Sequence, residues 1–176
     1  KVDEVWVSTD CANIKSVAIE LGVEVLDRPS KFATDFSKSE DALLHFSSKV
    51  EFDFLVFIQP TSPLVLPQDI NMGLDMMHNQ NQKYDSVFSA YKEHWLPRWT
   101  ANQTPVNWET KERPMRQEVD ELYVENGAFY ITTKKALLKS NLRYSGNIGI
   151  VEMPFSRSFQ IDTQDDLSLI KRLLNG

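Results

Sequence analysis

Apolar positions along the chain follow two alternating rhythms, short continuous runs and helical spacings. Val5, Trp6 and Val7 form a run that ends at Ser8-Thr9-Asp10, residues whose side-chain oxygens suit the start of a helix. Ile14, Val17, Ala18 and Leu21 then recur at helical intervals, and Gly22 is placed to stop that helix. Val23 to Leu26 predicts a second strand leading into Asp27-Arg28-Pro29, and a helix follows from about Ser37 to Lys49 with Ala42, Leu43 and Phe46 inward. Phe54 to Ile58 is the most apolar run and predicts a central strand buried on both faces. Pro67 suits a first helical turn ahead of Ile70, Leu74 and Met77. Further strands are predicted over Tyr84–Tyr91, Asn126–Thr132 and Asn147–Met153, with an amphipathic helix over Gln164–Leu174. Strands alternating with helices of this length imply an α/β fold, doubly wound around a mostly parallel sheet.

Residues 92–124 break the rhythm. They carry Trp95, Trp99 and Trp108, several prolines, and Arg113 and Arg116. A long aperiodic stretch rich in aromatics and arginine reads as an excursion that binds a partner or ligand. Chain length, 176 residues, suits a single domain over 1–176 that contains this excursion. The net charge of -6 argues against nucleic acid as a partner, since phosphate backbones demand clustered cations. Cys11 is the one cysteine, which excludes an internal disulfide and leans toward a reducing compartment. No apolar run approaches the roughly 20 residues that span a bilayer, so no membrane partner is expected.

In open α/β sheets ligands bind beyond the carboxyl ends of the strands. Gln59-Pro60-Thr61-Ser62-Pro63 sits at such an end and presents an amide and two hydroxyls on a stiffened loop, which suits a polyol; a rigid turn capping the next helix reads the same residues equally well. Arg28 offers a planar donor for a base carbonyl or phosphate, or is a surface residue before proline. Ser37, Lys38 and Ser39 mark a helix start that attracts anions or is simply capped. Arg113 and Arg116 form an anion clamp or a solvated basic face. Asp162 follows a strand-like approach, and one carboxylate plus substrate phosphates suffices to hold magnesium. Asp165 and Asp166 suit the first turn of the last helix. His45, His78 and His94 lack zinc-ligand spacing.

Taken in order, VSTD at 7–10, RP at 28–29, QPTSP at 59–63, DSVFS at 85–89, RQ at 116–117, ENGAFYI at 125–131 and IDT at 161–163 resemble the acylneuraminate cytidylyltransferase (CMP-sialic acid synthetase) family over essentially the whole chain. ENGAFYI downstream of RQ is the most discriminating piece. The resemblance implies a nucleotide-diphospho-sugar transferase-like fold that dimerises through its excursion. It also implies transfer of CMP from CTP to the anomeric hydroxyl of a sialic acid, with release of pyrophosphate and dependence on Mg2+ or Mn2+.

By motif, Arg28 and Ser39 fall where the family contacts cytosine, Gln59 and Arg98 near the sugar, and Asn126 and Tyr130 along the sugar pocket. Arg116 and Gln117 match positions that reach substrate across a homodimer or dimer of dimers, with Arg116 and Asp162 carrying the catalytic roles and Asp162 the metal. Gln160 stands where the family commonly has a second aspartate, and an amide is the weaker magnesium ligand. The family's opening strand and glycine-rich, Arg/Lys-bearing triphosphate loop are not in this sequence, so we expect an N-terminally incomplete domain, inactive by itself. The resemblance implies a cytoplasmic location in a bacterium and a nuclear or cytoplasmic one in a eukaryote. Two alternatives remain at this level: a cytidylyltransferase for another ulosonic acid, and a catalytically lapsed homologue that binds nucleotide.

Overall fold

Each apolar run becomes a strand and each helical spacing a helix in a computed structural model that describes residues 2–175; Lys1 and Gly176 of the expected domain lie outside them. The strands are β1 (Trp6–Thr9), β2 (Glu24–Asp27), β3 (Phe54–Ile58), β4 (Ser86–Lys92), β5 (Tyr123–Thr133) and β6 (Ile148–Glu152). The helices are α1 (Ala12–Glu20), α2 (Ser39–Ser47), α3 (Pro67–His78), α4 (Lys134–Ser140) and α5 (Gln164–Asn175).

Local chemistry accounts for the helix ends. Thr9 Oγ1 accepts from Cys11 N, so the cap ahead of α1 is one residue later than the Ser8-Thr9-Asp10 triplet suggests, and Gly22 follows the helix at φ +73°. Pro67 opens α3, where the Asp69 carboxylate accepts from Leu66 N at 2.9 Å. The unforeseen helix α4 starts at Thr133, whose hydroxyl accepts from Ala136 N, and ends at Asn141 in the left-handed region at φ 58°. Its seven residues are too few to display a hydrophobic period, although Thr133 is a recognisable cap.

β1 and β2 pair in parallel, Trp6 against Glu24 through Thr9 against Asp27. The other strands form a sheet in the order β3-β5-β4-β6. β5 runs antiparallel to β3. It also opposes β4, since Thr133 N donates to Asp85 O while Glu93 N donates to Leu122 O. β4 and β6 run together, with Asp85 N bonded to Asn147 O and Met153 N to Ala90 O. Three of the four strands in this sheet run in one direction, as expected, but β5 is reversed between β3 and β4, so two of the three pairings are antiparallel and the sheet is mixed.

The chain groups into two compact units. One takes the chain up to Ile58, Leu66–Phe88 and Phe129–Ile150; the other takes Gln59–Val65, Ser89–Ala128 and Val151 onward. The first buries Leu43, Leu74, Val87, Phe129, Ile131 and Leu137, each such side chain stabilising by about 1.5–3 kcal/mol relative to exposure. The second buries Ala90, Ala128, Val151, Met153 and Ile170.

Two expectations of burial need correction. β3 is only half-buried rather than buried on both faces, and Ile58 is 46% exposed. On α1 only Ala18 is buried; Ile14, Val17 and Leu21 are exposed and, with Val5, Val7 and Val23, line an apolar groove. Helical spacing marks a stripe but does not say what covers it. Among the described residues no helix is long and apolar enough to cross a membrane.

Candidate functional site

In the second unit, the loop after β3, the middle of β5 and the approach to α5 are sewn together by backbone and amide groups. Gln59 N donates to Ala128 O at 3.1 Å, and Ile161 N to Thr61 O at 2.8 Å. Gly127 sits at φ +65° where these segments meet. A Cβ there would overlap the Gln160 amide nitrogen and approach Gln59 Oε1 to 2.9 Å, so glycine is what lets both carboxamides close on the strand. Gln160 Nε2 donates to the backbone carbonyl of Asn126.

Asn126 is 5% exposed and spends every hydrogen-bonding position internally. Its Oδ1 accepts from Ser89 Oγ at 2.6 Å and Ala128 N at 3.2 Å; its Nδ2 donates to Ser158 Oγ at 2.9 Å and Met153 Sδ at 3.4 Å. In the loop after β3, Ser62 Oγ is buried with no hydrogen-bond partner among the described residues, a rarity among buried polar groups.

Asp162 is exposed, and its backbone N donates to Asp166 Oδ2 at 3.1 Å. Asp166 also accepts from Thr163 N and Thr163 Oγ1, both at 2.8 Å, while Asp166 N donates back to Thr163 Oγ1. The Thr163 hydroxyl, and then the two backbone donors, hold the Asp166 carboxyl below its ordinary range. Asp166 therefore caps α5, as its sequence position predicts. Among the described residues no group of three or more His, Cys, Asp or Glu is assembled to hold a metal ion unaided.

The excursion carries Arg98, Arg113 and Arg116. Thr100 N bonds Thr104 O and Val106 N bonds Arg98 O, folding 98–106 back on itself. Arg113 lies over Trp95 and Trp108 with centroid distances of 5.6 and 5.7 Å, and Trp108 meets Trp99 edge-on at 5.1 Å. Arg98 pairs with Glu93, and Arg116 contacts His94. Gln117 is exposed, its amide 3.5 Å from Met115 Sδ.

The first unit contains Arg28, Ser39 and Tyr130. Arg28 Nε donates to Ser8 Oγ at 3.2 Å and its Nη2 to Ser8 O, which fixes the guanidinium after β2. Ser39 is the first helical residue of α2 and is half-buried. Tyr130 is 3% exposed, stacked between Phe57 and Tyr144, each at 5.9 Å. Sequence reasoning missed Arg143, which lies 5.1 Å from the Tyr130 ring and makes two bonds to Glu40, Nε to Oε1 at 2.6 Å and Nη2 to Oε2 at 3.0 Å. Nothing in the local sequence pairs residues separated by 103 positions.

Known proteins match this chain in sequence and in fold. The family described as cytidylyltransferase matches residues 1–175. An N-acylneuraminate cytidylyltransferase B of Danio rerio is 37% identical over 174 residues, 94% of this chain and 40% of that protein. An enzyme of Oncorhynchus mykiss named N-acylneuraminate cytidylyltransferase is 34% identical over 172 residues, 93% of this chain and 39% of its own length. The chain thus spans about 40% of the length of these curated relatives. Among solved structures, CMP:2-keto-3-deoxy-manno-octonic acid synthetase complexed with CTP matches at TM-score 0.71 and 18% identity, covering 99% of this chain and 81% of that one. A 4-diphosphocytidyl-2C-methyl-D-erythritol synthase from Anaerococcus prevotii matches at 0.68 and 12% identity, covering 99% and 83%. The shared fold, the ordered motifs and a family match along the described length together make this chain a member of the cytidylyltransferase family.

Proposed function

We propose that the protein carrying this chain transfers CMP from CTP to the anomeric hydroxyl of an N-acylneuraminate and releases pyrophosphate. The observation that carries this reading is 37% identity to the Danio rerio relative across 94% of the chain. The neutral, hydroxyl- and amide-bearing surroundings of Gln59 and Ser62 support it, because a polyol acid needs fixed donors and acceptors more than charge.

In this reading Arg28, held by Ser8, and Ser39 contact cytosine. Gln59 and Arg98 contact the sugar, and the hydrogen-bonded Asn126 and the stacked Tyr130 are assigned to its recognition. Arg116 and Gln117 serve substrate across a homodimer or a dimer of dimers formed by 92–124. Asp162 holds Mg2+, or Mn2+, which when bound neutralises phosphate charge. Catalysis is positioning and charge stabilisation, with no covalent intermediate. The reaction is placed in bacterial cytoplasm, or in the nucleus or cytoplasm of a eukaryote.

The test is pyrophosphate release by the full-length protein given CTP, Mg2+ and N-acetylneuraminate. Turnover with this acid in preference to deoxy-octulosonic acid is expected. No turnover with any ulosonic acid would end the proposal.

A further inference from the structure

Position 160 carries an amide two residues before the one exposed carboxylate assigned to the metal, and the sequence resemblance expects a second metal carboxylate there. The geometry gives that amide a different task. Its nitrogen donates to the Asn126 carbonyl, across a glycine whose left-handed backbone and missing Cβ make room for it. A carboxylate cannot donate that bond and would set negative charge against a carbonyl oxygen.

We propose that Gln160 is a positioning residue that straps the segment preceding α5 onto β5, and not a ligand of the metal. The strap closes a small circuit. Gln160 holds Asn126, Asn126 holds Ser158 and Ser89, Ile161 N holds Thr61, and Gln59 N holds Ala128. Gln59 belongs to this circuit, and Asp162 directly follows its member Ile161. Cutting the strap therefore disturbs both, through the loops that carry them. The kinetic part of the inference rests on the proposed CMP transfer; the structural part does not.

The test uses Gln160→Glu, which keeps length and loses the donor, and Gln160→Met, which loses the donor without adding charge. In the full-length protein both are expected to raise amide hydrogen exchange at Ile161 and Gln59 by roughly ten- to a hundredfold, the worth of a part-buried hydrogen bond. Both are expected to lower kcat by a similar factor, and neither to lower the half-saturating Mg2+ concentration. A Gln160→Glu protein that saturates at lower Mg2+, or unchanged exchange in both variants, overturns the proposal. Absence of turnover in the wild-type protein would sink the CMP-transfer reading alone, because exchange still decides the strap.

Discussion

Arg143 carries its charge into a largely apolar setting, 22% exposed, beside a Glu40 side chain that is 16% exposed. The guanidinium hydrogen bonds first, then the Glu40 backbone amide, and only then the Arg143 charge hold the Glu40 carboxyl below the usual 4.5, against the opposing pull of burial. Replacing Arg143 with Met leaves that carboxylate without its bidentate partner and should cost about 2–3 kcal/mol, less than for a fully buried pair because both groups keep some water. Urea unfolding at pH 7 measures it. The sign with pH follows from the lowered carboxyl. Its contribution is complete above the ordinary 4.5 and is lost as pH falls through the lowered value, so wild-type stability should decline over that acid window and Arg143→Met should decline less. Ser62 poses the opposite case. Its buried hydroxyl has no hydrogen-bond partner among the described residues, so Ser62→Ala should leave the unfolding free energy within about 0.5 kcal/mol of wild type. If the hydroxyl serves the sugar, KM for the acid rises several-fold in the same variant; an unchanged KM would assign Ser62 to a buried water.

β5 is the element on which the candidate site depends. Its left-handed Gly127 sits within the buried stretch Asn126–Thr132 and brings two glutamines to one point. Gly127→Ala should lower stability by about 2 kcal/mol or more, from the φ penalty and the displaced amides together, and thermal unfolding reads the change. The sequence marked the strand and the ENG motif because apolar runs and short motifs are local. It did not mark the strand's reversal, since period-two patterning carries no direction. The internal saturation of Asn126 was likewise hidden, because its partners Ser89, Met153 and Ser158 are far away in sequence. Asp166 was legible for the converse reason: a helix cap is settled within four residues. α1 lies between these cases. Its spacing was read correctly, but Ile14, Val17 and Leu21 lie exposed, because coverage is a tertiary property.

At the scale of the whole molecule, the excursion is as aperiodic in its fold as in its sequence. Between β4 and β5 the described residues form no regular element except the short turn Arg116–Glu118. An aromatic cluster around Arg113 stiffens the segment. Leu96, Trp99, Met115 and Leu122 nevertheless remain 51–64% exposed, a cost that solvent-facing loops ordinarily avoid. Apolar and arginine-rich surface of this kind suits the core of an interface. If 92–124 is where two copies meet, Leu96→Glu puts an unpaired charge at that contact, and the full-length protein should shift from dimer to monomer in light scattering at micromolar concentration. Because Arg116 and Gln117 lie on the same segment, the shift should bring a loss of at least tenfold in kcat/KM that is recovered at high protein concentration. A monomeric variant with full activity would separate assembly from catalysis and return Arg116 to its own subunit.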